Sequence, residues 1–290
     1  DYKEDAYVSS SSPVIICGCG RSGTTLTRVI LDTHSKIYSG PESLLFLPTE
    51  INPTDIAEKF NLPEEDVKDM LAFSDSRSKF IDKFQKRILE DHEKAIWADK
   101  TARNVHCLPY ILEHFPNAKI IHVLRNPLDV VASLRTHKKR KIEDGEVKNT
   151  GYVMPVIPAI ERWKRAVSDG ISYRGHENYH EVLYENLTSD PKQEIIKLCD
   201  FLGVDFEPQM FNFHEVFGHT RDYTKFPQNI EATKPLSQSS VGRYQRILDQ
   251  LQIDLVRGET AELVKELGYW NTGKALAPNN ILNYNGPQPR

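Results

Sequence analysis

Between residues 18 and 25 the chain reads GCGRSGTT, setting Gly18, Gly20 and Gly23 around a single arginine, Arg21, and closing on Ser22, Thr24 and Thr25. Gly18 and Gly23 keep the G-x-x-x-x-G spacing of a phosphate loop, but Thr24 stands where a nucleotide-hydrolysing loop carries lysine. Small residues let backbone N–H groups turn inward and a following helix adds its positive end. With the fixed charge of Arg21, the stretch is suited to an anion. The plainer alternative is a tight strand-to-helix turn with a surface arginine. Lacking the lysine and an obvious acidic metal ligand at a strand end, the loop is poorly equipped for magnesium–ATP, and it suits a donor that carries its own leaving group.

RSGTTL followed by LDTHSKIYSGPES resembles the sulfotransferase superfamily, whose members grip the 5′-phosphosulfate of 3′-phosphoadenosine-5′-phosphosulfate (PAPS) with this loop. Cytosolic members carry lysine at the position of Arg21, so the arginine form looks more like the tyrosylprotein and bacterial-type branch. HVLRNPLDVVASL is similar to the family's 3′-phosphate segment, which implies that Arg125 and Ser133 clamp that phosphate. The geometry is sensible, since Arg125 ends a strand pattern and Ser133 falls two turns into the next helix. The resemblance further implies that Tyr184 approaches the nucleotide and that Lys234, with Ser240, Gly242 and Arg243, belongs to a late loop closing over it. Where tyrosylprotein enzymes carry another basic residue after the serine, this chain has His137, followed by the basic run Lys138–Lys141.

For the transfer itself, the resemblance implies Glu42 in SGPES as the base that takes the acceptor's proton, with burial or the apolar Leu44–Leu47 stretch raising its pKa. Cytosolic members use histidine, which makes His106 the rival. Lys100, matching the lysine of the similar DKTP segment, and Arg21 would neutralise charge on the sulfonate and the departing phosphate. PAPS is thus the implied donor, 3′,5′-adenosine bisphosphate (PAP) the product and a hydroxyl, or an amine, the acceptor. Glycan hydroxyls and peptide tyrosine are open; the short helical insertion favours a small molecule.

These residues need elements to hold them. VIICG (14–18) reads as a buried strand running through the glycine turn into a helix, AIWAD (95–99), KIIHVL (119–124) and YHEVLY (179–184) as further strands, and helical patterns separate them. That alternation predicts an α/β fold, a phosphate-loop-type parallel sheet flanked by helices. Residues 50–93 carry helix starts, with Asn52 and Asn61 each placed before a proline and acids, and read as a helical insertion. The insertion and the segment around 138–158 would wall the acceptor pocket. Asp190 caps a helix that ends at Gly203, and the tail from about 273 to 290 is expected to pack loosely.

The chain's 290 residues fit a single domain with an insertion, and its 39% hydrophobic and 27% charged residues fit an ordinary water-soluble protein. A formal charge of −4 gives no electrostatic reason to expect nucleic acid as partner. Four cysteines are read as free thiols, and Cys17-x-Cys19 lacks the partners a metal site needs, so no metal is expected. No apolar run is long enough to span a bilayer. Cytoplasm is the favoured address, with the Golgi lumen fitting if an anchor preceded Asp1; oligomeric state is open. Two rival functions stand beside the sulfotransferase reading, a nucleotide-kinase-like phosphotransferase and a non-catalytic nucleotide-binding module.

Overall fold

The computed structural model describes residues 5–137, 140–143, 146–149, 151–215 and 234–268. Strands β1 (Val14–Gly18), β2 (Ile37–Tyr38), β3 (Ile96–Lys100), β4 (Lys119–Leu124) and β7 (Tyr179–Leu183) form one parallel sheet in the order β2-β3-β1-β4-β7. The central strand β1 is buried along its whole length, which is why it reads as an unbroken apolar run instead of an alternating one. Its side chains still alternate. Ile15 and Cys17 join a core with Phe84, Trp97 and Trp163, while Val14 and Ile16 join another with Val29, Ile30 and Leu198.

The helices that cover these faces are α1 (Thr24–Asp32), the insertion α2 (Pro53–Phe60), α3 (Glu64–Ala72) and α4 (Arg77–Asp91), then α5 (Leu108–His114), α6 (Pro127–Thr136), α7 (Val156–Ile171), α8 (Tyr184–Ser189), α9 (Pro191–Leu202) and α10 (Gln250–Glu266). The insertion is helical as expected, and Asn52 caps α2 by accepting from the N–H groups of Thr54 and Asp55. Asn61, read as a second helix start, instead ends α2 in the left-handed region at φ 53°, and Pro63 leads into α3. The cap at Asp190 and the left-handed stop at Gly203 stand where the sequence placed them.

Two elements were not read in the sequence, β2 and a hairpin, and the helical stretch before β4 starts near Pro109. β2 has two residues, too few to show a period, and extends the sheet past β3. Residues Ala102–Cys107 form a 3-10 turn ahead of α5, whose second residue is Pro109. Arg140 and Lys141 of the basic run enter an antiparallel pair, β5 (Arg140–Glu143) with β6 (Glu146–Asn149). The tail at 273–290 lies outside the described residues, as do Lys138 and Lys139. No described helix is long and apolar enough to cross a membrane.

Candidate active site

The candidate groups stand at the carboxyl-terminal ends of β1, β3, β4 and β7 or on the helices and loops that follow them, where open parallel sheets place their ligands. β1 stops at Gly18, whose φ of 138° suits glycine and where a β-carbon would stand 2.5 Å from the Val123 carbonyl oxygen. The chain turns as Ser22 N–H donates to the Cys19 carbonyl at 3.1 Å, passes Arg21 at φ 79°, and enters α1 at Gly23 at φ 103°. No side chain caps α1 and no acid stands in its first turn. The buried Ser22 hydroxyl has no hydrogen-bond partner. An uncapped helix start beside an unsatisfied buried hydroxyl is the chemistry of an anion cradle.

Arg125 follows β4 directly and is buried. Its Nη1 donates to the Arg21 carbonyl at 3.0 Å, its Nη2 to the Ser240 carbonyl at 2.5 Å, and its Nε, also buried, has no partner. Its guanidinium lies 4.2 Å over the Tyr184 ring, and that ring fills the space a β-carbon on Gly23 would need. Tyr184 therefore braces both the loop and the arginine. Arg21 donates from Nε to Ser133 Oγ at 3.2 Å. Burial and the neighbouring guanidinium groups of Arg125 and Arg243 lower the Arg21 pKa, although arginine stays charged. The sequence had set Arg21 beside Lys100; the structure directs its guanidinium to Ser133, among the groups expected at a 3′-phosphate.

The late loop joins the same cluster. Asp129, one turn before Ser133, accepts from the backbone N–H of Gly242 at 2.8 Å and of Tyr244 at 3.0 Å. Burial pushes its carboxyl up, partly offset by Arg125 and these N–H groups. Gly242 adopts φ 73°, and Arg243 reaches Thr136 Oγ1 at 3.4 Å, beside His137 at the end of α6. Lys234 lies exposed at the start of this segment. Trp163 Nε1 donates to the Arg125 carbonyl at 3.0 Å, and the buried Glu185, its pKa raised by burial to about 7, accepts from Asn126 N–H at 2.9 Å. Asp129, Trp163 and Glu185 were missed by the sequence reading, because their partners lie tens of residues away.

On the other side of β1, Lys100 Nζ donates to Glu42 Oε1 at 2.6 Å. The Lys100 side chain is 6% exposed and that of Glu42 45%. Burial lowers the Lys100 pKa, opposed by Glu42. The expected apolar burial of Glu42 is not found, and a buried ammonium holds it instead. The loop bearing it is fixed by β3, since Asp99 accepts from Ser43 N–H at 3.3 Å and from Asn104 Nδ2 at 2.7 Å, while Thr101 Oγ1 accepts from Leu44 N–H at 3.3 Å. His106, the rival base, is bound to Asp169 of α7 through Nδ1 at 2.6 Å. Above the loop, Arg162 of α7 brings Nη2 to 3.2 Å from where a β-carbon on Gly20 would stand, a cation the sequence reading did not single out. Among the described residues no cluster of three His, Cys, Asp or Glu side chains could hold a metal.

A model of the sulfotransferase family matches residues 13–208. An uncharacterized protein of Aquifex aeolicus is 28% identical over 251 residues, covering 82% of this chain and 31% of that protein. Protein-tyrosine sulfotransferase A of Caenorhabditis elegans is 22% identical over 275 residues, covering 92% of this chain and 69% of that one. The sulfotransferase domain of the Synechococcus PCC 7002 olefin synthase superposes with a TM-score of 0.65 at 21% identity, covering 90% of this chain and 98% of that domain, a likeness of fold.

Proposed function

The chain belongs to the sulfotransferase family, and on that premise we propose that it moves a sulfonate from PAPS to an acceptor hydroxyl. The observation that carries this reading is the gathering of Arg21, Arg125 and Arg243 beside an uncapped phosphate loop. Of the carboxylates near them, Asp129 is already engaged by the backbone of the late loop and Glu185 by the Asn126 N–H. Cations so arranged, Arg125 buried and Arg21 and Arg243 partly so, call for a multiply charged anion. The unpartnered Ser22 hydroxyl and Arg125 Nε fit a nucleotide with phosphate at both ends.

In this mechanism Gly20, Ser22, Gly23, Thr24, Thr25 and the Arg21 backbone form the loop side of the donor site, while the Arg21 side chain turns to Ser133. Arg125, Ser133 and Arg243 serve its 3′-phosphate, with Tyr184, Gly242 and Lys234 closing around it. Glu42, half-open to solvent and kept in place by Lys100, takes the acceptor's proton as the acceptor oxygen bonds to sulfur and the sulfur–phosphate oxygen bond breaks. Lys100, the buried cation bound to Glu42, stabilises the charge shifted onto the leaving phosphate, which departs as part of PAP. His106, held by Asp169, is assigned no proton transfer.

The acceptor is read as a small molecule, because the insertion between β2 and β3 is short and helical, α2–α4. Incubation with sulfur-labelled PAPS and panels of alcohols and phenols, glycans, and tyrosine peptides tests both levels. Label on a small alcohol or phenol is expected. Label confined to a glycan or peptide corrects the acceptor class, and tight PAP binding with no transfer to any panel would establish the non-catalytic alternative.

A further inference from the structure

The charges along α7 are largely committed to one another. Lys164 pairs with Glu161 and with Glu259 of α10, and Asp169 with His106 and Arg165. Arg162 is the exception: it makes no ion pair among the described residues. Its place is nevertheless fixed, because the next residue, Trp163, is fully buried and hydrogen-bonded to the Arg125 carbonyl. That anchor sets the rotation of α7 so that Arg162 comes down on the phosphate loop, Nη2 3.2 Å and Cζ 3.8 Å from the β-carbon position of Gly20. Gly20 does not have a positive φ, so the opening it leaves for the guanidinium is spatial, not a conformational need. The charge is felt inside the loop, where it opposes the burial that pushes the Cys19 thiol up to about 12.

Two neighbours sharpen what this cation can do. Arg21, the charge the loop itself carries, donates from Nε to Ser133 Oγ. Lys100 is already paired with Glu42. A phosphosulfate extends one anionic group beyond the 5′-phosphate, and of the arginines around the loop only Arg162 is uncommitted to a protein partner among the described residues. Resting on the reading of PAPS as donor, we propose that Arg162 binds the sulfonate oxygens and is the residue by which the site tells donor from product. Its fork of N–H groups matches two oxygens of a sulfonate as it matches those of a phosphate.

The test compares two ligands without any acceptor. Calorimetric titration of PAPS and of PAP into wild type, Arg162→Gln and Arg162→Lys isolates the sulfonate, which is present in the first ligand and absent in the second. Arg162→Gln is expected to weaken PAPS about tenfold, the loss of one charge-assisted contact, and PAP by less than about twofold, with Arg162→Lys recovering part of the loss. The unliganded melting temperature should stay unchanged, since the residue is exposed. Equal weakening of both ligands, or unchanged PAPS affinity, overturns the assignment while PAP binding keeps the donor reading intact. A wild-type protein that binds neither nucleotide overturns both.

Discussion

The two strand ends that flank the phosphate loop solve opposite electrostatic problems. At the end of β4, Arg21, Arg125 and Arg243 gather, with Arg21 on Ser133, and the carboxylates nearby, Asp129 and Glu185, accept from backbone N–H groups. At the end of β3, one buried lysine faces one half-exposed carboxylate at 2.6 Å, and the local charge cancels. A surplus of positive charge around a buried arginine is destabilising until an anion arrives, so on the proposed reading the β4 side serves binding. A balanced pair can hold a carboxylate in position for a proton, which makes the β3 side a place for chemistry. The division is between affinity and turnover, and substitutions on the two sides should separate along that line.

The largest effect is expected at Glu42. Glu42→Gln keeps an oxygen for Lys100 but cannot take a proton, so single-turnover transfer at saturating PAPS should fall by about 10²–10⁴ while PAP affinity stays within a few-fold of wild type. Full activity would remove Glu42 as base and turn attention to His106. Arg125→Ala should do the reverse. Losing a buried guanidinium that also holds the Arg21 and Ser240 carbonyls should weaken PAP by about 10², seen by calorimetry. Unaltered PAP affinity would break the comparison on its binding side.

Arg21→Lys decides which side the loop arginine serves. Its contact with Ser133 predicts roughly tenfold weaker PAP and a single-turnover rate within a few-fold of wild type at saturating donor. A rate loss of about 10² at saturation would return Arg21 to the transfer side. The smallest effect should come from a site remote from both sides. Asp82 on α4 accepts from Tyr7, Ser9, Gln85 and Lys86. Burial alone would raise its pKa, but those hydrogen bonds outweigh it and hold it at about 2, below the ordinary 3.8. A lowered folded-state pKa stabilises above the unfolded value, so this contribution, about 2 kcal/mol, is complete above pH ~4 and lost as pH falls toward 2. Asp82→Asn should therefore lower the melting temperature at pH 7 by about 2–6 °C, nearly abolish the difference from wild type at pH ~2, and leave PAP affinity and turnover alone.

The sheet was largely legible because β1 and β4 are apolar, β-branched runs and each of the four longer strands is bounded by a turn or a helix signal. β2 was not, since Ile37–Tyr38 is held by pairing to β3 and by burial, both invisible in a two-residue pattern. The hairpin was hidden by its charge, although Asp144-Gly145 between its strands is the dipeptide that signals one. At the site, residue types and their attachment to strand ends could be read, because loop composition and the Arg125–Ser133 spacing are local. Pairings could not. Glu42 with Lys100, Asp129 with the Gly242–Tyr244 backbone, and Arg162 over Gly20 are made by topology, and a single sequence carries no record of them. The direction of the Arg21 side chain belongs to the same class, which is why its expected role moved from one strand end to the other.

The account rests on a two-phosphate nucleotide bound without metal, and thermal unfolding in the presence of chelator tests that most directly. At one hundred times its dissociation constant PAP should stabilise the protein by about 2.7 kcal/mol. ATP at the same concentration, lacking the 3′-phosphate that the β4 side is built for, should do much less. Equal stabilisation by ATP and PAP, or a magnesium requirement for either, would contradict the account.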